Sequence, residues 1–205
     1  MKEPNVMIGM PLADDMFADA RASFWCYQEV GKNGWILKCE NKGSAARNKN
    51  VIISEFLMGD YTYLLFLNND TWPDEGDTKD LIACDKDIVS GITPAFTYGF
   101  HWMGQIQKNV QIKIDEVPTG LTRAVRAGGP AMLIKRKVLE IMDFPWFDFE
   151  QVEIGIEKSE DYAFCDKAIE LGFEVWIEPK VVCHHNHRGM DILSMAKAIR
   201  GKANA

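Results

Sequence analysis

An apolar run, Tyr63-Leu64-Leu65-Phe66-Leu67, stops abruptly on Asn68-Asn69-Asp70, side chains rich in oxygen donors. A short apolar run bounded by polar turn formers reads as a strand buried on both faces, so the polar triplet falls at its carboxyl end. Ligands bind at that edge in open α/β sheets, and a carboxylate with amide neighbours there suits a hard divalent cation carrying a phosphorylated substrate. Asn68 lies two positions before Asp70, on the same side of an extended chain. The competing reading is a polar turn that caps a following helix.

Two other constellations have chemical potential. Ser159-Glu160-Asp161 opens a segment with Tyr162, Phe164, Cys165, Ile169 and Leu171 along an apolar face. Carboxylates in a first helical turn are favoured by the helix dipole by roughly 0.3–1 kcal/mol, which explains the pair structurally. The functional reading gives one carboxylate to a cleft as general base for a hydroxyl, with the other beside it. Cys183-His184-His185-Asn186-His187-Arg188 gathers three of the four histidines at the end of an apolar run. Imidazole is a good ligand for Mn²⁺ or Zn²⁺, and a hydrogen-bonded surface turn or a separate zinc site with Cys183 are the alternatives. Gly128-Gly129, within Arg126 to Ala131, leaves room for a ligand against bare backbone or makes a plain turn. Arg47 and Arg188 offer forked donors to a diphosphate, or stand as solvated surface arginines.

The elements that must position these groups alternate. Val6 to Pro11 reads as a first strand, with Asp14 or Asp15 capping a helix that runs to about Val30. Trp35 to Cys39 follows as a strand, and Ser44 caps a helix to about Met58. After the third strand, Trp72-Pro73-Asp74 opens a helix ending near Cys84, and Asp87 to Gly91 is a fourth strand. Residues from Tyr98 to Val125 alternate with aromatics as antiparallel strands do. Ala131 to Ile134 is a further strand, Lys137 to Met142 a short helix, and Ser159 caps a helix through Leu171. Phe173 to Ile177 and Val181 to Cys183 are two closing strands. The fold class is α/β, a mostly parallel sheet with flanking helices and a small antiparallel portion. One domain is expected over residues 1–190, with a nucleotide-binding part at about 1–92, an acceptor-side part at about 93–190 and a C-terminal tail at 191–205, where a short helix fits.

With 205 residues, 47% hydrophobic, the chain supports one well-buried domain. A formal net charge of -7 argues against nonspecific binding to a polyanion such as duplex DNA. The five cysteines are scattered with no paired spacing, which fits reduced thiols and a cytoplasmic setting. No stretch approaches the roughly 18 apolar residues that span a bilayer.

Ser44-Ala45-Ala46-Arg47-Asn48, Leu65 to Asp70, Ile88-Val89-Ser90-Gly91, Ala127-Gly128-Gly129, Ser159-Glu160-Asp161 and the histidines stand in an order that resembles a GT-A glycosyltransferase of the family 2 kind. The resemblance spans roughly Val6 to Arg188. It implies transfer of a sugar from a nucleotide-sugar donor to a hydroxyl acceptor, with Mn²⁺ or Mg²⁺ as cofactor. By the same resemblance Asp70 is the chief metal ligand, with His185 as its imidazole partner and His187 in reserve. Asp161 is then the base, and Glu160 its acceptor-side companion. Arg47, Asn48, Asn68, Asn69, Gly128, Gly129 and Arg188 line the nucleotide. Asn68 stands where the family's first aspartate is expected, which removes one negative charge. The acidic motif that usually holds the base is replaced by Cys39-Glu40-Asn41, so base recognition falls to Pro11, Leu12 and Glu40. Glycan, lipid-linked, protein and modified-base acceptors all suit this reading, with Trp102, His101, Trp146 and Phe147 as an aromatic platform or as core. A nucleotidyltransferase shares the layout but calls for a glycine-rich basic loop after the first strand, where Met10-Pro11-Leu12-Ala13-Asp14 stands. A sugar- or nucleotide-binding module without turnover is the non-enzymatic alternative.

Overall fold

The computed structural model describes residues 4–12, 17–75, 78–97, 99–153 and 156–203. The chain runs β1 (Val6–Pro11), α1 (Ala20–Asn33), β2 (Ile36–Glu40), α2 (Ala45–Met58), β3 (Tyr63–Phe66), β4 (Thr71–Glu75), α3 (Thr78–Ala83) and β5 (Ile88–Ile92). It continues through β6 (Pro94–Phe96), β7 (Phe100–Gln107), β8 (Val110–Lys113), β9 (Thr122–Ala124), β10 (Arg126–Ala127), β11 (Met132–Lys135) and α4 (Arg136–Ile141). Then come β12 (Glu150–Glu153), β13 (Ile156–Lys158), α5 (Glu160–Glu170), β14 (Val175–His187), β15 (Met190–Asp191) and α6 (Ile192–Ala203).

The spine of the main sheet has the order β2, β1, β3, β11, β5, β14, β15, and β4 and β9 also pair with β14. β1 runs parallel to β2 and β3, and β14 runs parallel to β5. β11 is inserted antiparallel between β3 and β5. Its amino end therefore lies beside the carboxyl ends of its neighbours, which brings Gly128 to Ala131 to the edge where β3 delivers Asn68 to Asp70. A second sheet is antiparallel throughout, with β7 pairing β6, β8 and β10. The α/β class with a small antiparallel portion is the one expected.

Side-chain alternation along the central strands explains why their sequences are almost wholly apolar. Leu64 and Phe66 join one core cluster with Ile52, Phe56, Ile88, Met132 and Phe164. Leu65 and Leu67 join the cluster on the other face with Ile8, Ala22, Val89 and Leu133. A strand buried on both faces has no polar side to show, so its period is hidden.

Three expected elements differ. Trp72-Pro73-Asp74 does not open a helix: Thr71–Glu75 is a strand that pairs with β14. Proline has no N–H for a ladder, and it is tolerated here because β4 bonds on one side only among the described residues. The helix follows at Thr78–Ala83. The expected caps Asp14 and Asp15 lie outside the described residues, and α1 begins at Ala20 with Asp19 as N-cap, whose carboxylate accepts from the Arg21 N–H at 2.8 Å. The two closing strands are one strand, β14, whose register to β5 shifts between Ile177 and Val182. Pro179 sits at this irregularity, where Glu178 accepts from the Lys180 N–H at 3.0 Å. Residues 190–203 form β15 and α6, and Ile192, Leu193 and Ala196 are buried.

Candidate active site

The carboxyl ends of β1, β2, β3 and β5 face the amino end of β11, the start of α5 and the end of β14. The candidates Asp70, His185, Glu160, Asp161, Gly128 and Gly129 come from these segments.

At the end of β3, Asp70 meets His185 from the far end of β14, with Asp70 Oδ2 3.4 Å from His185 Nε2. The register places His185 opposite Thr71, and the Asn186 N–H donates to the Asp70 carbonyl at 2.8 Å. His185 Nδ1 lies 2.9 Å from the Pro94 carbonyl oxygen, and only a protonated Nδ1 satisfies that contact. Nε2 is then the nitrogen that faces Asp70, which is how a second bond fixes a ligating imidazole. Burial works against a charged ring, but the Asp70 carboxylate outweighs it and raises the His185 pKa.

Among the described residues, buried oxygens without partners occur on residues close in sequence to this pair or to its Pro94 contact: Asn68 Oδ1, Thr93 Oγ1 and Asn186 Oδ1. Asn68 accepts the Thr71 N–H on its backbone, Thr93 precedes Pro94, and Asn186 follows His185. Asn186 is oriented by Asp19, which takes its Nδ2 at 2.6 Å. Asp19 is held well below the usual carboxylate range chiefly by Arg21, so it can only accept, and the Asn186 amide must present its oxygen the other way.

His187 is exposed, with its ring centroid 6.0 Å from that of His185. His184 is occupied elsewhere, 2.7 Å from Asp191 and stacked on Trp72. Among the described residues no group of three or more His, Cys, Asp or Glu is placed to hold a metal ion. Asp70 and His185 are two residues that could hold a hard or borderline cation whose other ligands are water and substrate phosphate. Asn68 Oδ1 is a further neutral donor on the same strand end.

The acidic pair at the head of α5 meets a residue the motifs did not single out. Lys49 is 1% exposed, donates to Glu160 Oε1 at 3.0 Å and to Asp161 Oδ1, and lies 4.9 Å from the Phe147 ring centroid. The other Asp161 oxygen accepts from the Gly129 N–H at 2.8 Å. A Cβ on Gly129 would collide with that carboxylate and one on Gly128 with Met103. The space beside both glycines is therefore filled by protein side chains, and the expectation of bare backbone left open for a ligand gives way to this packing. Ser159 stands at the N-cap position with no side-chain cap bond. Burial opposes the Lys49 charge, yet the two carboxylates outweigh it and raise its pKa. For Asp161, burial and then the neighbouring Glu160 charge raise the pKa, and Lys49 and the Gly129 amide counter only part of this. One cation for two acids leaves Asp161 more basic than an ordinary aspartate.

Lys49 carries a sequence signal in hindsight. It sits in the buried stripe of α2 with Ala46, Ile52, Ile53 and Phe56, and a lysine in an apolar stripe needs a buried anion.

The remaining candidates mainly hold loops. Asn48 donates to the carbonyls of Leu12 at 2.6 Å and Gly43 at 2.9 Å and accepts from the Lys42 N–H at 2.8 Å. Leu12 N–H in turn donates to the Glu40 carbonyl at 2.8 Å, and Pro11 pairs with Glu40 in register. The Glu40 carboxylate is buried between Lys38 at 3.7 Å and Lys42 at 3.6 Å. Asn69 donates to the Phe17 carbonyl at 3.2 Å and accepts from the Asp19 N–H at 2.7 Å. Arg47 and Arg188 are exposed, Arg188 in the left-handed turn between β14 and β15. Two members of the expected aromatic platform are core: Trp102 is 3% exposed and Phe147 1%, the latter stacked on Phe164. Trp146 is half-buried with its Nε1 donating to Leu139, and His101 lies on β7.

No protein-family model and no curated protein matches this sequence. Solved structures do. The crystal structure of A197 from STIV is similar over 90% of this chain and 87% of that one, at 18% identity and a TM-score of 0.61. A putative glucose-1-phosphate thymidylyltransferase from Bacillus anthracis, in complex with a sucrose, is similar over 94% of each chain at 11% identity and a TM-score of 0.52. S. aureus TarS is similar over 87% of this chain and 36% of that one, at 11% identity and a TM-score of 0.49. At these identities the likeness is one of fold, a GT-A-like nucleotide-diphospho-sugar transferase fold. No helix of the described residues is long and apolar enough to cross a membrane.

Proposed function

We propose that this chain is a metal-dependent glycosyltransferase, of the family 2 kind, that moves a sugar from a nucleotide-sugar donor to a hydroxyl acceptor. The observation that carries the reading is the meeting of Asp70 and His185 at 3.4 Å on the rim of the sheet. Asp70, His185 and Asn68 would hold Mn²⁺ or Mg²⁺, which when bound offsets the charge of the departing diphosphate. Asp161 accepts the proton of the acceptor hydroxyl, since each of its oxygens keeps a second lone pair beyond its bond to Lys49 or Gly129. Glu160 shares the Lys49 charge and so keeps Asp161 basic. Leu12, Glu40 and Asn48 shape the edge that takes the nucleotide base. The proposed setting is the cytoplasm.

Nucleotidyl transfer is a second reading, favoured by the likeness to the putative thymidylyltransferase fold. The loop after β1 lacks the glycine-rich basic sequence that such chemistry calls for. The two separate by product. Incubation with UDP- and GDP-sugars and Mn²⁺ is expected to release nucleoside diphosphate, and Asp70→Ala is expected to abolish that release. Pyrophosphate formed from a nucleoside triphosphate and a sugar 1-phosphate would replace the first reading with the second. Tight nucleotide binding without either product would reduce the chain to a binding module.

A further inference from the structure

The β6–β7 hairpin starts at Pro94, the residue whose carbonyl fixes the His185 ring. It carries Phe96 and Phe100, with ring centroids 4.8 Å apart, and Phe96 is 52% exposed. Phe100 is half-buried against Phe96, so the pair presents one exposed ring and one partly covered ring beside a polar site. Next to them is a cavity of about 410 Å³ lined by Thr97, Gly99, Phe100, His101 and Gln111. That volume lies in the range of small-ligand sites.

The cavity is tied to the catalytic edge from a second direction. Tyr162 follows Asp161 on α5, and its hydroxyl donates to Gln111 Oε1 at 3.1 Å. With its carbonyl taken by Tyr162, the Gln111 amide has its N–H groups without a partner among the described residues. His101 Nδ1 is 3.1 Å from the Gly99 carbonyl oxygen, which leaves Nε2 as the ring's other polar atom.

Among the described residues the lining contains an aromatic face, an amide, a hydroxyl and an imidazole, and no Asp, Glu, Lys or Arg. A site without formal charge selects an uncharged ligand that has flat apolar faces and hydroxyl rims. That describes a pyranose ring. A nucleic acid would bring phosphates that this lining cannot neutralise, into a chain of net charge -7. We infer that the Phe96–Phe100 hairpin and the cavity beside it form the acceptor subsite, and that the acceptor is a neutral glycan whose ring stacks on Phe100. The inference rests on the glycosyltransferase reading.

The test measures binding of maltotriose, cellotriose, chitotriose and the oligonucleotide dT10 by saturation-transfer NMR and calorimetry. UDP and GDP with Mn²⁺ are titrated separately. The inference expects at least one trisaccharide to bind, about fivefold to tenfold more weakly to Phe100→Ala and to Gln111→Ala, with nucleotide affinity unchanged. Phe96 is exposed, so Phe96→Ala serves as the variant least able to disturb folding, with circular dichroism as the check. No trisaccharide bound, equal binding by all three variants, or aromatic-dependent binding of dT10 in preference to the sugars overturns the subsite, whatever the nucleotides do. Trisaccharide binding in a protein that takes no nucleotide overturns the acceptor role by removing the transferase reading beneath it.

Discussion

At the head of α5, one lysine faces two carboxylates, every charged group has a partner, and Lys49 is 1% exposed. On the rim at β3 and β14, one carboxylate faces one imidazole, and among the described residues three buried oxygens, on Asn68, Thr93 and Asn186, have no partner. Both places pair acids with bases across long stretches of chain, yet they answer different demands. A charge in a dry interior must be matched by protein, because nothing else is there to match it. A rim that a ligand enters can leave donors unmatched, because the ligand supplies what is missing. The unsatisfied place is therefore where a ligand is to be sought, and in the satisfied one Lys49 and Gly129 fix Asp161 while burial and Glu160 raise its basicity.

The largest effect expected is on turnover. Asp161→Asn should lower sugar transfer by about 10²–10⁴-fold while sparing donor binding, as loss of a positioned proton acceptor does. Steady-state kinetics with a nucleotide sugar reads this, and wild-type turnover in the variant would make Asp161 purely a partner for Lys49. Lys49→Met should cost about 3–5 kcal/mol of stability by stranding two buried carboxylates. At about 2–4 °C per kcal/mol for a chain of this size, calorimetry should show a clear fall in Tm. An unchanged Tm would break the contrast between the two regions.

On the rim, the same kind of substitution should do the opposite. His185→Gln should leave Tm nearly unchanged and weaken Mn²⁺ binding in the presence of nucleoside diphosphate by about 10–100-fold. Replacing His187 in the same way should change it far less, since that ring is exposed. Equal losses in the two variants would remove His185 from its special place.

The smallest effect is a control on α5 itself. Asp166 takes Arg126 at 2.9 and 2.7 Å and Lys158 at 2.8 Å. Burial raises its pKa, but these cations outweigh it and the folded value lies below the ordinary 3.8. The stability this gives is present above about pH 4 and is lost as pH falls through the lower folded value. Asp166→Asn should cost about 1–2 kcal/mol near neutrality, and the gap to wild type should narrow below about pH 4. Denaturant titrations at pH 7 and pH 3 give the comparison.

Much of the frame can be read from the chain because it is local. Ser44 before an amphipathic run marks α2, and its hydroxyl does accept from the Arg47 N–H at 3.4 Å. The apolar stretch before Asn68 marks a strand buried on both faces. Trp72-Pro73 misleads because proline is at home both in a first helical turn and on a strand edge, and pairing with β14 chooses between them. Val175–His187 is read as two strands because a bulge at Pro179 looks like an end.

The candidate site divides the same way. Asp70, Asp161 and His185 announce themselves by type and by position at the ends of apolar runs. Lys49 shows itself only by its place in the apolar stripe of α2, since a lysine on a helix is ordinarily a solvated side chain. The sequence alone determined most of the strands and helices of the main sheet, their apolar stretches, and which polar groups stand at strand ends, because periodicity and capping act over a few residues. The tertiary structure decided that β11 enters antiparallel, that Asp161 is held by Lys49 and Gly129, and that His185 rather than His184 faces Asp70. Those outcomes depend on pairing between distant segments, and no local pattern encodes which partner a buried charge will meet.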